Sequence, residues 1–154
     1  MRAAAALALV LAGTAAALLY GPYLGNARVF DDVTFYQTHS LADLATVPFN
    51  LRVRQFPHFT LAAIDVLTEH DTAINRGFSV ALHALCGVLL YALTRRLLAD
   101  SALALGERAA IGMAGLAALV FLVHPVAVYA AAYLTQRTTL FATLFTLLAF
   151  LLAE

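Results

Sequence analysis

The run AINRGFSVALHALCGVLLYALTRRLL, Ala73 to Leu98, contains no acidic residue. It is long and apolar enough to read as a membrane-spanning helix. Asp71 and Thr72 before it are N-cap types. Arg95 and Arg96 close its far end, where cations suit both the helix dipole and lipid headgroups. His83 sits midway, and an ionisable side chain inside a span marks a candidate site or a structural hydrogen bond to a neighbouring helix. Ser79 and Cys86 share its face, four residues before and three after, and Ala81 and Ala84 allow close approach nearby. This spacing predicts that the Ser79/His83/Cys86 face packs against protein and not lipid.

Composition agrees with that reading. Of the 154 residues, 63% are hydrophobic and 12% charged, with a mean hydropathy of +0.87. Soluble domains run at about 45–50% apolar and about 25% charged. The expected fold is therefore all-α, an integral membrane bundle of about four transmembrane helices with short interfacial helices in the first outer loop. Nine basic and nine acidic residues balance, which points away from nucleic acid. Every cation is Arg, whose planar fork grips carboxylate or phosphate. The single cysteine, Cys86, has no partner for an internal disulfide.

Upstream, residues 3–20 are apolar behind Arg2, about 27 Å as a helix at about 1.5 Å per residue. A cleaved signal peptide fits the positive start, apolar centre and small residues. The length of the run and the Gly21-Pro22-Tyr23 exit favour an uncleaved first span. Residues 21–72 form the one sizeable polar region, an outer loop. Within it Asp31-Asp32 are candidate acids for a general base or a divalent-cation site, or else the cap of a short helix VTFYQTH. Ser40-Leu41-Ala42-Asp43 reads as a capping box. Pro57 begins a helix, HFTLAAIDVLT, with Asp65 off its apolar face, lying at the membrane surface. Arg52 and Arg54 are candidate phosphate ligands or interfacial anchors.

Downstream, the spans are expected at 73–98, 106–123 and 138–153. The third is short, and Leu103–Leu105 or residues past Pro125 would complete it. Between the last two, 124–137 reads as an interfacial re-entry: His124-Pro125 turns the chain, and Tyr129, Tyr133 and Arg137 follow at steps of four. That stripe predicts an aromatic belt with a snorkelled cation, or a sugar or phosphate site. The Arg distribution places both termini inside and the long loop outside.

Four blocks carry a resemblance: VFDD (29–32), RQFPHFTLAA (54–63), FSVALHALCGVLLYALTRRLL (78–98) and LVFLVHPVAVYAAAYLTQRTTLFATLF (119–145). In order and spacing the chain resembles the N-terminal membrane part of a bacterial C-type glycosyltransferase family, often fused to tetratricopeptide repeats and similar to transmembrane O-mannosyltransferases. The departures are Gln55, where the family has Pro, Ser79 and Cys86, where Asn often stands, and Ala127 and Tyr129 at positions that are usually polar.

The resemblance implies sugar transfer from a polyprenyl-phosphate donor to a protein or glycan acceptor on the outer face of the bacterial inner membrane. It implies Asp31 and Asp32 as catalytic acids, and Arg54, His124 and Arg137 as substrate contacts. His83, Pro125 and Tyr133 are then structural, and a divalent cation is a candidate cofactor. Family members carry more spans, so a partial or shortened module is implied, inactive as this chain alone and dependent on remaining membrane helices or a partner membrane protein. The rival reading is a non-catalytic membrane scaffold packing through the Ser79/His83/Cys86 face. A transporter ranks last, because no internal repeat is present.

Overall fold

The computed structural model describes residues 2–47, 54–101 and 105–153, and these residues are all-helical, without strands. Helix α1 is Arg2–Tyr20, followed by a 3-10 turn at Gly21–Tyr23. Three short helices follow: α2 (Asp31–Thr38), α3 (Leu41–Leu44) and α4 (Gln55–Leu67). Then come α5 (Thr72–Asp100), α6 (Glu107–Val123), α7 (Ala127–Ala132) and α8 (Arg137–Ala153). Among the described residues one helix, α5, is long and apolar enough to cross a membrane. The stretches Val10–Tyr23 and Arg137–Ala153 are apolar but shorter.

Local chemistry accounts for most boundaries. Asp71 caps α5 by accepting from the Ala73 and Ile74 N–H groups at 2.8 and 3.1 Å. Ser40 caps α3, with its hydroxyl accepting from Asp43 N at 3.4 Å. Helix α4 starts at Gln55, two residues before Pro57, because proline is tolerated throughout the first turn, where its missing donor is not needed. The chain enters α4 through Arg54 at φ 65°, a left-handed geometry that costs a non-glycine residue strain. Arg52 and Leu103 lie outside the described residues.

Helix α5 is the hub. Its Leu82, Cys86 and Leu93 pack on Leu140, Phe141, Leu144 and Leu147 of α8. Tyr91 meets Ala114 and Ala118 of α6. On α6 the buried positions Ala110, Ala114, Ala118 and Leu122 recur every four residues, a small-residue stripe that lets two backbones approach. Gly87 of α5 leaves room for Leu122 of α6: a Cβ there would lie 2.8 Å from Leu122 Cδ2. Val80 of α5 joins Ala16 and Tyr20 of α1 and Ala131 of α7.

Helix α2 docks on α4 through Phe35, whose ring lies between His39 (4.5 Å) and His58 (4.8 Å). Burial pushes the His58 imidazole below its ordinary 6.5, and nearby His39 and Arg54 add to the effect. A depressed base binds fewer protons folded than unfolded. The docked state is therefore most stable above pH 6.5 and weakens as pH falls through the folded value of His58. Thermal melts followed by circular dichroism should lose stability over that acid window, and His58→Gln should flatten the loss. An unchanged acid slope in the variant would remove His58 from the account.

Candidate functional site

The two acids of VFDD part company at the start of α2. Phe30 precedes the helix at φ 51°, ψ −123°, a conformation that bulky residues avoid. Asp31 then points to solvent, while Asp32 is 1% exposed. Asp32 does not cap its own helix. It crosses to the corner between α7 and α8, where it accepts from Leu134 N (3.0 Å), Thr135 N (2.9 Å) and the Thr135 hydroxyl (2.9 Å). That corner has free donors because α7 stops at Ala132 and the following Tyr133 is extended, so Leu134 and Thr135 lack helical acceptors. One carboxylate thus fastens the first loop to the re-entry 102 residues away.

Arg76 completes the same corner. It donates from Nε to Ala132 O at 2.9 Å, and from Nη1 to Asn26 O at 2.9 Å, Tyr23 O at 3.4 Å and Leu24 O. Among the described residues its Nη2 takes no hydrogen bond. These carbonyls lie at and just after the ends of α7 and the 3-10 turn, where helical partners run out and the dipole is negative. An open cleft of about 590 Å³ lies between α1, the first loop and α7. Tyr20, Tyr23, Asn26, Asp32, Arg76 and Tyr133 give it polar atoms, and Leu19, Val29, Val123 and Val128 give it an apolar wall.

Arg137 is placed differently from the expected snorkelled cation. The helical stripe from Tyr129 breaks at Tyr133, so Arg137 opens α8 facing inward and is 1% exposed. It donates to Asn75 Oδ1 (2.5 Å), Asn75 O (2.7 Å), Ser79 Oγ (3.1 Å) and Thr60 Oγ1 (3.5 Å), and lies over the Phe78 ring at 4.9 Å. With its donors spent on protein, Arg137 is an internal tie and not a substrate ligand. Arg54 is exposed and does not line the cleft. His124 is exposed and uses Nδ1 to accept from Val126 N at 3.2 Å, within its own proline turn. Tyr133 lies on the cleft wall, where its ring stacks on Phe30.

The turn at Pro125 also explains His83. The Leu122 carbonyl would accept from Val126 N in a continuing helix, but that N–H goes to His124. His83 Nε2 takes its place, 3.2 Å from Leu122 O, between the rings of Tyr20 and Phe121. Ser79, His83 and Cys86 are all buried among neighbouring helices.

A second polar centre was not foreseen. Asp65 is fully buried, pairing with Arg28 at 3.0 Å and His70 Nδ1 at 2.5 Å, while Arg28 covers the Tyr36 ring at 3.6 Å. Burial, and then the Asp65 charge, push the Tyr36 hydroxyl upward. The sequence reading places Asp65 off the apolar face of α4, whereas in the structure it is fully buried. It shares the face of buried Leu61 and Ala62 at helical spacing, and that spacing was the signal. The network continues through Asn75, which donates to Tyr36 Oη (3.3 Å) and Leu61 O (3.0 Å).

A divalent cation does not fit the acid pair, since Asp31 faces outward and Asp32 is committed to three donors. Among the described residues no three His, Cys, Asp or Glu side chains converge as metal ligands. No family model matches the chain, and no curated protein or solved structure matches it either.

Proposed function

We propose that this chain is the membrane module of a glycosyltransferase-like protein that moves a sugar from a polyprenyl-phosphate donor to a protein or glycan acceptor. The observation that carries the reading is the division of labour at Asp31-Asp32: an exposed carboxylate next in sequence to an anchored one, which lines a cleft with an apolar wall and a guanidinium. Large apolar side chains exposed on α1, α6 and α8, such as Leu18, Leu116 and Leu152, support contact with a bilayer. The four long helices then cross the bacterial inner membrane, with both termini inside and the cleft at the outer surface.

In this scheme Asp31 takes the proton of the acceptor hydroxyl. The acceptor oxygen bonds to the anomeric carbon, the bond from that carbon to the phosphate oxygen breaks, and polyprenyl phosphate leaves. Arg76, which lines the cleft, takes the phosphate-contact role that the resemblance implies for Arg54 and Arg137. Asp32, which lines the cleft, is a positioning residue that fixes the start of α2 and with it Asp31. The cleft is open, and a transfer site must exclude water, so further membrane helices or a partner membrane protein close it.

The test is glycan transfer in cells that depend on this protein, read by mass spectrometry of the acceptor. Asp31→Asn should cut transfer about 10²–10⁴-fold, the usual contribution of a general base, with the protein still in the membrane. Undiminished transfer in that variant removes the catalytic reading. It would favour the scaffold alternative, which the enclosed Arg137 and the His83–Leu122 tie also suit.

A further inference from the structure

Beside the acids lies an aromatic surface that the transfer scheme leaves unused. Phe30 is 76% exposed, yet its backbone is held in a strained left-handed conformation immediately before Asp31. That conformation lays its ring nearly parallel to Tyr133, at 6.2 Å and 22°. Tyr129 joins Tyr133 at 5.2 Å and 43°, and its hydroxyl accepts from Gln136 Nε2 at 2.9 Å. Tyr133 lines the cleft together with Asp32 and Arg76.

We infer that Phe30, Tyr129 and Tyr133 form a pyranose-binding platform, with the amide of Gln136, bonded to the Tyr129 hydroxyl, at its rim. A pyranose has a face of C–H bonds, which an electron-rich ring attracts, and a rim of hydroxyls, which needs hydrogen-bonding groups in the ring plane. The arrangement supplies both. A row of interfacial aromatics serving only as a lipid belt needs neither parallel stacking nor backbone strain, since each ring partitions on its own. Strain on an exposed residue persists where the surrounding contacts demand that position, and here the contact is a ring face beside a candidate base.

The inference rests on the glycosyl-transfer reading but is tested separately. Saturation-transfer NMR on the chain in lipid nanodiscs, with methyl α-mannopyranoside and methyl β-glucopyranoside as probes, should show transfer to pyranose C–H protons. Open-chain sorbitol, which lacks the apolar face, should show none. Tyr133→Ala and Phe30→Gly should each weaken binding about tenfold, which corresponds to about 1.4 kcal/mol, while Tyr133→Phe retains it. Phe30→Gly guards against misfolding, because glycine adopts φ 51° freely and should melt no lower than the parent chain. Displacement of the probe by a sugar-free polyprenyl phosphate would put the donor pyranose on the rings, and retention would put the acceptor there. Either result supports the platform. Absent binding, equal transfer to sorbitol, or unaltered binding in Phe30→Gly overturns it. Binding that persists while Asp31→Asn leaves cellular transfer intact would sink the catalytic assignment and spare the platform.

Discussion

Arg137→Met should lower the unfolding free energy by about 3 kcal/mol, because hydrogen bonds from a charged donor are worth about 1.5–3 kcal/mol each and their acceptors stay buried. Asn75 Oδ1 and Ser79 Oγ lose the guanidinium that now bridges α5 to the start of α8. Removing a desolvated charge returns part of that loss, and for that reason the figure stays below the sum of the individual bonds. Arg137→Lys should recover only a fraction, since one ammonium cannot span Nε and Nη2 geometry. Adding Ser79→Ala to Arg137→Met should cost less than about 0.5 kcal/mol more, as the interaction is already gone. Denaturation followed by circular dichroism in micelles measures each term. A single Arg137→Met variant as stable as the parent would mean that the buried cation contributes no net tie.

Asp32→Ala carries the second large effect, also about 3 kcal/mol, from two backbone N–H groups left without acceptors. Leu134 N is buried and Thr135 N partly so. Asp31→Ala removes an exposed acid from the first turn of α2, where the dipole interaction is worth less than about 1 kcal/mol. The contrast separates the two roles. Asp32→Asn should lose stability and transfer together, since one of its two oxygens becomes a donor facing Leu134 N or Thr135 N. Asp31→Asn should lose transfer alone. Equal destabilisation by both alanine variants would contradict the latch.

The helices were legible because their causes are local. Apolar run length, the Asp71 and Ser40 caps and the Pro125 break all act within about one helical turn. The four long helices occupy Arg2–Tyr20, Thr72–Asp100, Glu107–Val123 and Arg137–Ala153, close to the runs expected from apolar length. The site was legible in part. VFDD and the His-Pro to Gln-Arg block both stand out in the sequence, and Asp32 joins them in the structure. Their internal geometry was not legible. A step-of-four pattern through Tyr129, Tyr133 and Arg137 assumes one unbroken helix, and α7 stops at Ala132.

By itself, then, the order of residues determined where this chain is helical, which segments are apolar, and that an acid pair and a proline-broken block stand apart from the rest. Only the tertiary structure decided which acid is anchored, that Arg137 is enclosed, and that Arg76 and Tyr133 border the cleft. The reason is separation along the chain. Asp32 meets its partners 102–103 residues away, Arg76 reaches 50–56 residues, and Arg137 bonds 58–77 residues back. Local periodicity reports which face of a helix a residue occupies, but not which unpaired carbonyl or N–H will lie opposite it once the helices pack.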